Sequence, residues 1–119
     1  MSLDLFAGVA VSDLPRAVAW YDRLLGDAET FDAHDTERVW TLAEHRHLCV
    51  EQRPEDAGHG MVTVFVADFD AFLDAAARRG VHPVDRETYG NGVRKATYLD
   101  PDGNEVGVGG APVPADAEG

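Results

Sequence analysis

Leu5, Ala7, Val9 and Val11 stand at every second position, with Phe6, Gly8 and Ala10 between them. That period predicts a strand whose two faces meet different surroundings. Leu14, Ala17, Val18, Tyr21, Leu24 and Leu25 then recur at the spacing of a single helix stripe. Ser12 or Asp13 supplies the N-terminal cap, Pro15 is tolerated in the first turn, and Gly26 suits the terminating position. The pattern then returns at a constant offset of 55 residues: Val9 maps to Val64, Val11 to Val66, Asp13 to Asp68 and Leu14 to Phe69. Self-similarity on this scale predicts one supersecondary unit used twice.

In the second unit Val62, Val64 and Val66 alternate with Met61, Thr63 and Phe65. Asp68 is the expected cap of a helix whose stripe is Phe69, Phe72, Leu73 and Ala76, with Arg78 and Arg79 complementing its C-terminal dipole before Gly80. Shorter strands are expected over 28–31, 39–42 and 47–52 in the first unit, and over 82–87, 94–99 and 105–109 in the second. Asn91-Gly92 is a hairpin-type dipeptide. Asp100-Pro101-Asp102-Gly103-Asn104 suits a type I turn, with Gly103 free to take the left-handed conformation. The expected fold class is α+β: two βαβββ modules form curved mixed sheets with helices on the outer face. One domain spans 4–110, with module one at 4–52, a turn-rich linker at 53–60 and module two at 61–110. Residues 111–119 lack periodicity and are expected to be a disordered tail, with vector-derived residues at both ends. The valine-rich strand faces should meet the helices. The opposite face has no helix to cover it, so it either binds something or meets another chain.

The stretches VAVSDLPRAVAWYDRLLG, VADFDAFLDAAARRGV and VRKATYLDPDGNEVGV, in this order and spacing, resemble the vicinal oxygen chelate superfamily, the glyoxalase, bleomycin-resistance and extradiol-dioxygenase group. The resemblance covers about residues 5–109. It implies paired βαβββ modules, a homodimer, and a small-molecule cavity lined by the concave sheet. In metal-dependent members it also implies a divalent ion held by His, Gln or Glu side chains on the cavity faces of the first and last strands of the modules. The matching positions here are Phe6, Met61 and Gly107, with Glu51 as the remaining candidate. Phenylalanine and glycine offer no donor, and a thioether suits only soft ions. The expectation is therefore no cofactor and no metal at the usual positions.

Charge sharpens this. The formal net charge is −12 at pH 7, a surface that repels phosphates, so no nucleic-acid partner is expected. A cationic small molecule would be attracted instead. No run of residues is long and apolar enough for a membrane partner, and the lone Cys49 excludes an intramolecular disulfide, so a cytoplasmic location is expected.

The positions that lack donors carry apolar bulk. Phe6, Met61 and Phe65 are expected on the open face, together with Trp40 and Tyr98, whose strand parity the pattern leaves open. His47 and Glu51 would add polar selectivity. This combination leans towards the metal-free, bleomycin-resistance-like branch, with an apolar or aromatic ligand bound and sequestered rather than transformed. The alternative is a metal-dependent lyase, isomerase or dioxygenase with a relocated site. His45, His47 and Glu51, at alternate positions of EHRHLCVEQ, are the fallback ligands for it. Cys49 lies in the same series, but no nucleophile signature accompanies it, and a small packed residue is the simpler expectation.

Overall fold

The sequence repeat is a structural repeat. The computed structural model describes residues 3–113. Its elements run β1 (Leu5–Val11), α1 (Leu14–Leu25), β2 (Glu29–His34), β3 (Glu37–Ala43), β4 (Arg46–Gln52), a 3-10 turn (Pro54–Asp56), β5 (Met61–Val66), α2 (Phe69–Arg78), β6 (Asp85–Thr88), β7 (Arg94–Leu99) and β8 (Glu105–Gly110). They form two four-stranded sheets of order β1-β4-β3-β2 and β5-β8-β7-β6. In each, the first strand lies parallel to the last, and the others are antiparallel. The expected α+β fold of two βαβββ modules is what the chain adopts.

Both helices start the same way. The Asp13 carboxylate accepts the Arg16 N–H at 3.1 Å, and the Asp68 carboxylate accepts the Ala71 N–H at 3.0 Å. Asp13 is therefore the cap, and Ser12 is free for another role. Three strand expectations shift. β2 continues to His34 through an irregularity after Asp32. β6 starts at Asp85 rather than at position 82, because Pro83 has no N–H to give a ladder. The Asn91-Gly92 segment is a wider loop than a two-residue hairpin: Tyr89 N–H donates to Val93 O at 2.8 Å, and of the pair only Gly92 has positive φ. Of the expected tail, Ala111 accepts from the Arg94 guanidinium at 3.1 Å, and positions 114–119 lie outside the described residues.

The helices share one core. Val9, Val11, Leu48 and Val50 from the first sheet and Ala96, Tyr98, Val106 and Val108 from the second pack with Tyr21, Leu24, Phe69 and Leu73 into a single cluster. At the helix C-termini the Arg79 guanidinium donates to the carbonyls of Arg23 and Leu24. With both helices on one side, the opposite faces of the two sheets stay open.

The DPDGN turn joins the modules. Asp100 and Asn104 are buried, and Gly103 takes the left-handed conformation at φ 91°. The Asp100 carboxylate accepts from the backbone N–H of Asp102 and of Asn104, from Asn104 Nδ2 and from the Tyr21 hydroxyl, at 2.8–2.9 Å. Asn104 reaches the other module, donating from Nδ2 to Ala10 O at 2.8 Å and accepting the Gly60 N–H at 2.7 Å. Asp102 accepts from the Ser12 N–H at 2.9 Å and from its hydroxyl. The linker closes on the same turn. A β-carbon at Gly58, where φ is 92°, would stand 2.7 Å from Asp102 O.

Removing a fully satisfied buried polar group strands its partners, at about 1–3 kcal/mol each. Asn104→Ala is expected to cost about 2–4 kcal/mol, lowering the melting temperature by about 10 °C. Ser12→Ala, at the exposed edge, should stay within about 1 kcal/mol. Denaturant and thermal unfolding of the two variants would check this, and equal, small losses would remove the turn from its joining role.

Candidate functional site

Strand parity decides which side chains reach the open face. On the first sheet, Phe6, Gly8 and Ala10 of β1 stand beside His47, Cys49 and Glu51 of β4. β3 adds Glu37, Val39 and Thr41, and β2 adds Phe31 opposite Val39. On the second sheet, Met61, Thr63 and Phe65 stand beside Glu105, Gly107 and Gly109, with Lys95, Thr97 and Leu99 on β7. Met61 is 74 % exposed, Phe65 64 % and Phe6 50 %. These three are exposed on the open faces, as the alternation suggested. Phe31 and Leu99, also exposed, belong with them. Their signal was parity against a neighbouring strand, which a single-strand pattern does not contain.

Trp40 and Tyr98 do not join them. Both are fully buried in the core beneath the helices. Trp40 stands next to Leu48 in the ladder, not Cys49. Its ring packs against Tyr21 at 5.6 Å, and its indole N–H donates to Asp22 at 3.0 Å. Tyr98 pairs with Val106 on the core side, and its hydroxyl has no hydrogen-bond partner among the described residues. The physical reason is shared: odd and even positions of β3 and β7 could be assigned only through the partner strands.

The polar wall is built around His47. Its Nε2 lies 2.8 Å from Asp4 Oδ2 and its Nδ1 3.0 Å from Thr41 Oγ1, and its ring stacks on Phe6 with centroids 4.3 Å apart. His45, at the β3–β4 turn with φ 65°, places Nδ1 2.7 Å from the other Asp4 oxygen. Asp4, missed by the pattern because it precedes the first strand, thus gathers both histidines. Their hydrogen bonds, His47 first and then His45, hold its carboxyl below the ordinary 3.8.

Glu51 is elsewhere. His34 Nε2 lies 3.4 Å from Glu51 Oε2 and 3.3 Å from Glu37 Oε1. The fallback set His45, His47 and Glu51 is therefore divided between two clusters. Beside Glu37 and Glu51 lies a cavity of about 230 Å³, lined also by Gly8, Val9, Ala10, Cys49 and Arg53. The Cys49 thiol points at Ala7 O, 3.5 Å away. Burial, with the charges of Glu37 and Glu51, raises its pKa, so it stays a thiol and is a poor nucleophile.

The superfamily's metal positions do not fit an ion here. Phe6 fills the β1 position with a ring stacked on His47. Thr63 pairs with Gly107 as Gly8 pairs with Cys49, so the repeat makes Cys49, not Glu51, the module-one counterpart of Gly107. A β-carbon at Gly107 would meet Lys95 Cε at 2.9 Å. A lysine lies where an acidic ligand would stand, and its charge opposes a cation.

Comparisons with known proteins agree with the fold. Residues 3–108 match the model of the Glyoxalase/Bleomycin resistance protein/Dioxygenase superfamily. The chain is 57% identical to a solved glyoxalase / bleomycin resistance protein from Catenulispora acidiphila, over 93% of this chain and 100% of that one, with a TM-score of 0.89. At the level of fold alone it is similar to a bleomycin resistance determinant encoded on the transposon Tn5 (15% identity, 94% and 100% covered, TM-score 0.76). It is likewise similar to a lactoylglutathione lyase from Agrobacterium tumefaciens (18% identity, 93% and 95% covered, TM-score 0.73). No curated protein is found to be similar. With a family model matched over nearly the whole described chain, and with paired βαβββ modules to account for the match, this protein belongs to the glyoxalase/bleomycin resistance protein/dioxygenase superfamily.

Proposed function

We propose that this protein binds an apolar or aromatic, preferably cationic, small molecule on its open sheet face, without a metal at the superfamily's positions and without chemistry. The observation that carries the reading is the exchange of donors for apolar side chains. Phe6 and Met61 occupy two metal-ligand positions and remain exposed, Phe6 on the open face of the first sheet and Met61, with Phe65, on that of the second. Apolar walls with a few placed polar groups are the usual make-up of such a site. Asp4, Glu37 and Glu51 on the first sheet and Glu105 on the second border the open faces, and a cation would gain from them and from the aromatic rings. Sequestration of a drug-like compound fits a site that holds and does not transform its guest. A bleomycin resistance determinant among the fold relatives gives that idea a precedent.

A face this apolar also invites a second copy of the chain, so the proposed unit is a homodimer whose partners cover each other's open faces. A soluble, cytoplasmic setting is proposed with it. Among the described residues no helix is long and apolar enough to cross a membrane.

Neither tryptophan is placed for a fluorescence assay, since Trp40 is in the core and Trp20 packs on Tyr21. The test is calorimetry with methyl and aromatic side-chain NMR, using metal-free bleomycin and the cationic dye ethidium. At least one is expected to bind with Kd of about 10 μM or tighter, near 7 kcal/mol, shifting Met61 and Phe6 signals while Tyr98 stays still. Met61→Ser should weaken it about tenfold. Flat titrations of both probes to millimolar concentration would sink the reading. In sedimentation, the wild type should be dimeric and Phe65→Asp monomeric.

The acidic wall has its own signature. A carboxyl whose folded pKa is depressed adds stability above its unfolded pKa and loses it as pH falls through the folded value. Asp4 should therefore titrate below 3.8 by carboxyl NMR and keep its charge for a cationic guest throughout the neutral range. His47→Ala should move the midpoint up, towards the ordinary value. An unchanged midpoint would remove the Asp4–His47 bond.

A further inference from the structure

We propose that His34, Glu37 and Glu51 form a binding site for a divalent cation of the zinc class, at the β2–β3–β4 end of the first sheet's open face. The three residues come from three strands, and their ligand atoms all lie within 4.8 Å of one another. Glu37 and Glu51 are direct cross-strand partners. Like charges so placed repel, and the chain already carries a net charge of −12. The nearby guanidinium of Arg53 is 4.0 Å from Glu51 and makes its closer contact, 3.1 Å, with Asp56. Apart from the His34 imidazole, the two facing carboxylates have, among the described residues, one distant, shared counter-charge, and a cation between them would relieve their repulsion.

The spacing fits a particular coordination. Metal–ligand bonds of about 2.0–2.1 Å in a tetrahedron give donor–donor edges of about 3.3–3.4 Å. The two edges from His34 Nε2 are 3.3 Å to Glu37 and 3.4 Å to Glu51. One imidazole with two carboxylates is a donor set that zinc accepts, and three protein ligands leave a position open. That position borders the cavity of about 230 Å³ beside Cys49 and Arg53, where water or an anionic oxygen donor would complete the shell.

Neighbours also position His34. Thr36 Oγ1 lies 3.0 Å from its Nδ1, and Thr36 N–H lies 3.3 Å away. Here the Thr36 N–H donates to Nδ1; ligation through Nε2 would put the proton on Nδ1 and exchange that bond for donation to Thr36 Oγ1, 3.0 Å away, the kind of outer-shell bond that fixes a ligating imidazole. These residues are distinct from Phe6, Met61 and Gly107 and from the Asp4–His45–His47 cluster. The inference does not rest on the small-molecule reading.

The experiment is titration of Zn²⁺ alone into the chelator-treated full chain, followed by calorimetry, with Co²⁺ added to a second sample for its visible spectrum. One ion per chain is expected, with the intense bands of tetrahedral Co²⁺. Glu51→Gln and His34→Ala should each weaken Zn²⁺ binding at least tenfold with the fold intact by circular dichroism, and His47→Ala should leave it unchanged. No Zn²⁺ binding would overturn the proposal, and His34 would then simply hydrogen-bond to the two carboxylates. Binding lost in His47→Ala but kept in Glu51→Gln would also overturn it, placing the ion on the Asp4 cluster. No organic ligand is present, so this result stands or falls apart from that of the ethidium and bleomycin titrations.

Discussion

Four hydrogen bonds converge on the buried carboxylate of Asp100, and the arrangement of the two modules depends on them. A buried carboxylate without partners is costly. Here two partners come from its own turn, one from Asn104 and one from Tyr21 on the other module's helix. Desolvation first, and then the Asp100 charge, keep the Tyr21 phenol well above its ordinary pKa, so it remains the donor this bond needs. Asn104 carries the connection onward to the last residues of β1 and to the linker. The geometry leaves little slack, because each donor and acceptor is already in use.

That joint fixes which surfaces are free. With α1 and α2 held over one core, both sheets turn their other faces away from the helices. The residues there can be apolar without a partner inside the chain. Gly107 and Gly109 belong to the same design. A β-carbon at Gly109 would come within 3.0 Å of the Phe65 ring, so glycine lets Phe65 lie along the strand while staying open to ligand or partner. The loss of an acidic group at position 107 thus goes with a rebuilt surface, with Lys95 and Thr63 packed into the space.

The repeat, both helices with their aspartate caps, and the parity of β1 and β5 were legible in the sequence, because each depends on neighbours in the chain. The open-face positions of Phe6, Met61 and Phe65 followed from that parity. Trp40 and Tyr98 were not assignable, since short strands of mixed composition show no clear period and their faces depend on the strands they pair with. The grouping of His45, His47 and Glu51 failed for a related reason. Alternation puts residues on one side of a strand, but a strand rises ~3.4 Å per residue, so positions four apart cannot share one small ligand sphere. Asp4 and His34, from outside the motif, decided the grouping instead.

The turn shows the division most clearly. DPDGN specified its own conformation, with Gly103 at positive φ, because turn chemistry is local. That Asp100, Asp102 and Asn104 would bind Tyr21, Ser12 and Ala10, some 79–94 residues away, was decided only when the modules packed. By itself, the sequence determined two copies of a βαβββ unit and an open face without the usual metal donors. The tertiary structure decided how the units are joined, which aromatics stay exposed, and which carboxylates meet which histidines. Those contacts are set by pairing across strands and modules, which a pattern along one chain does not contain.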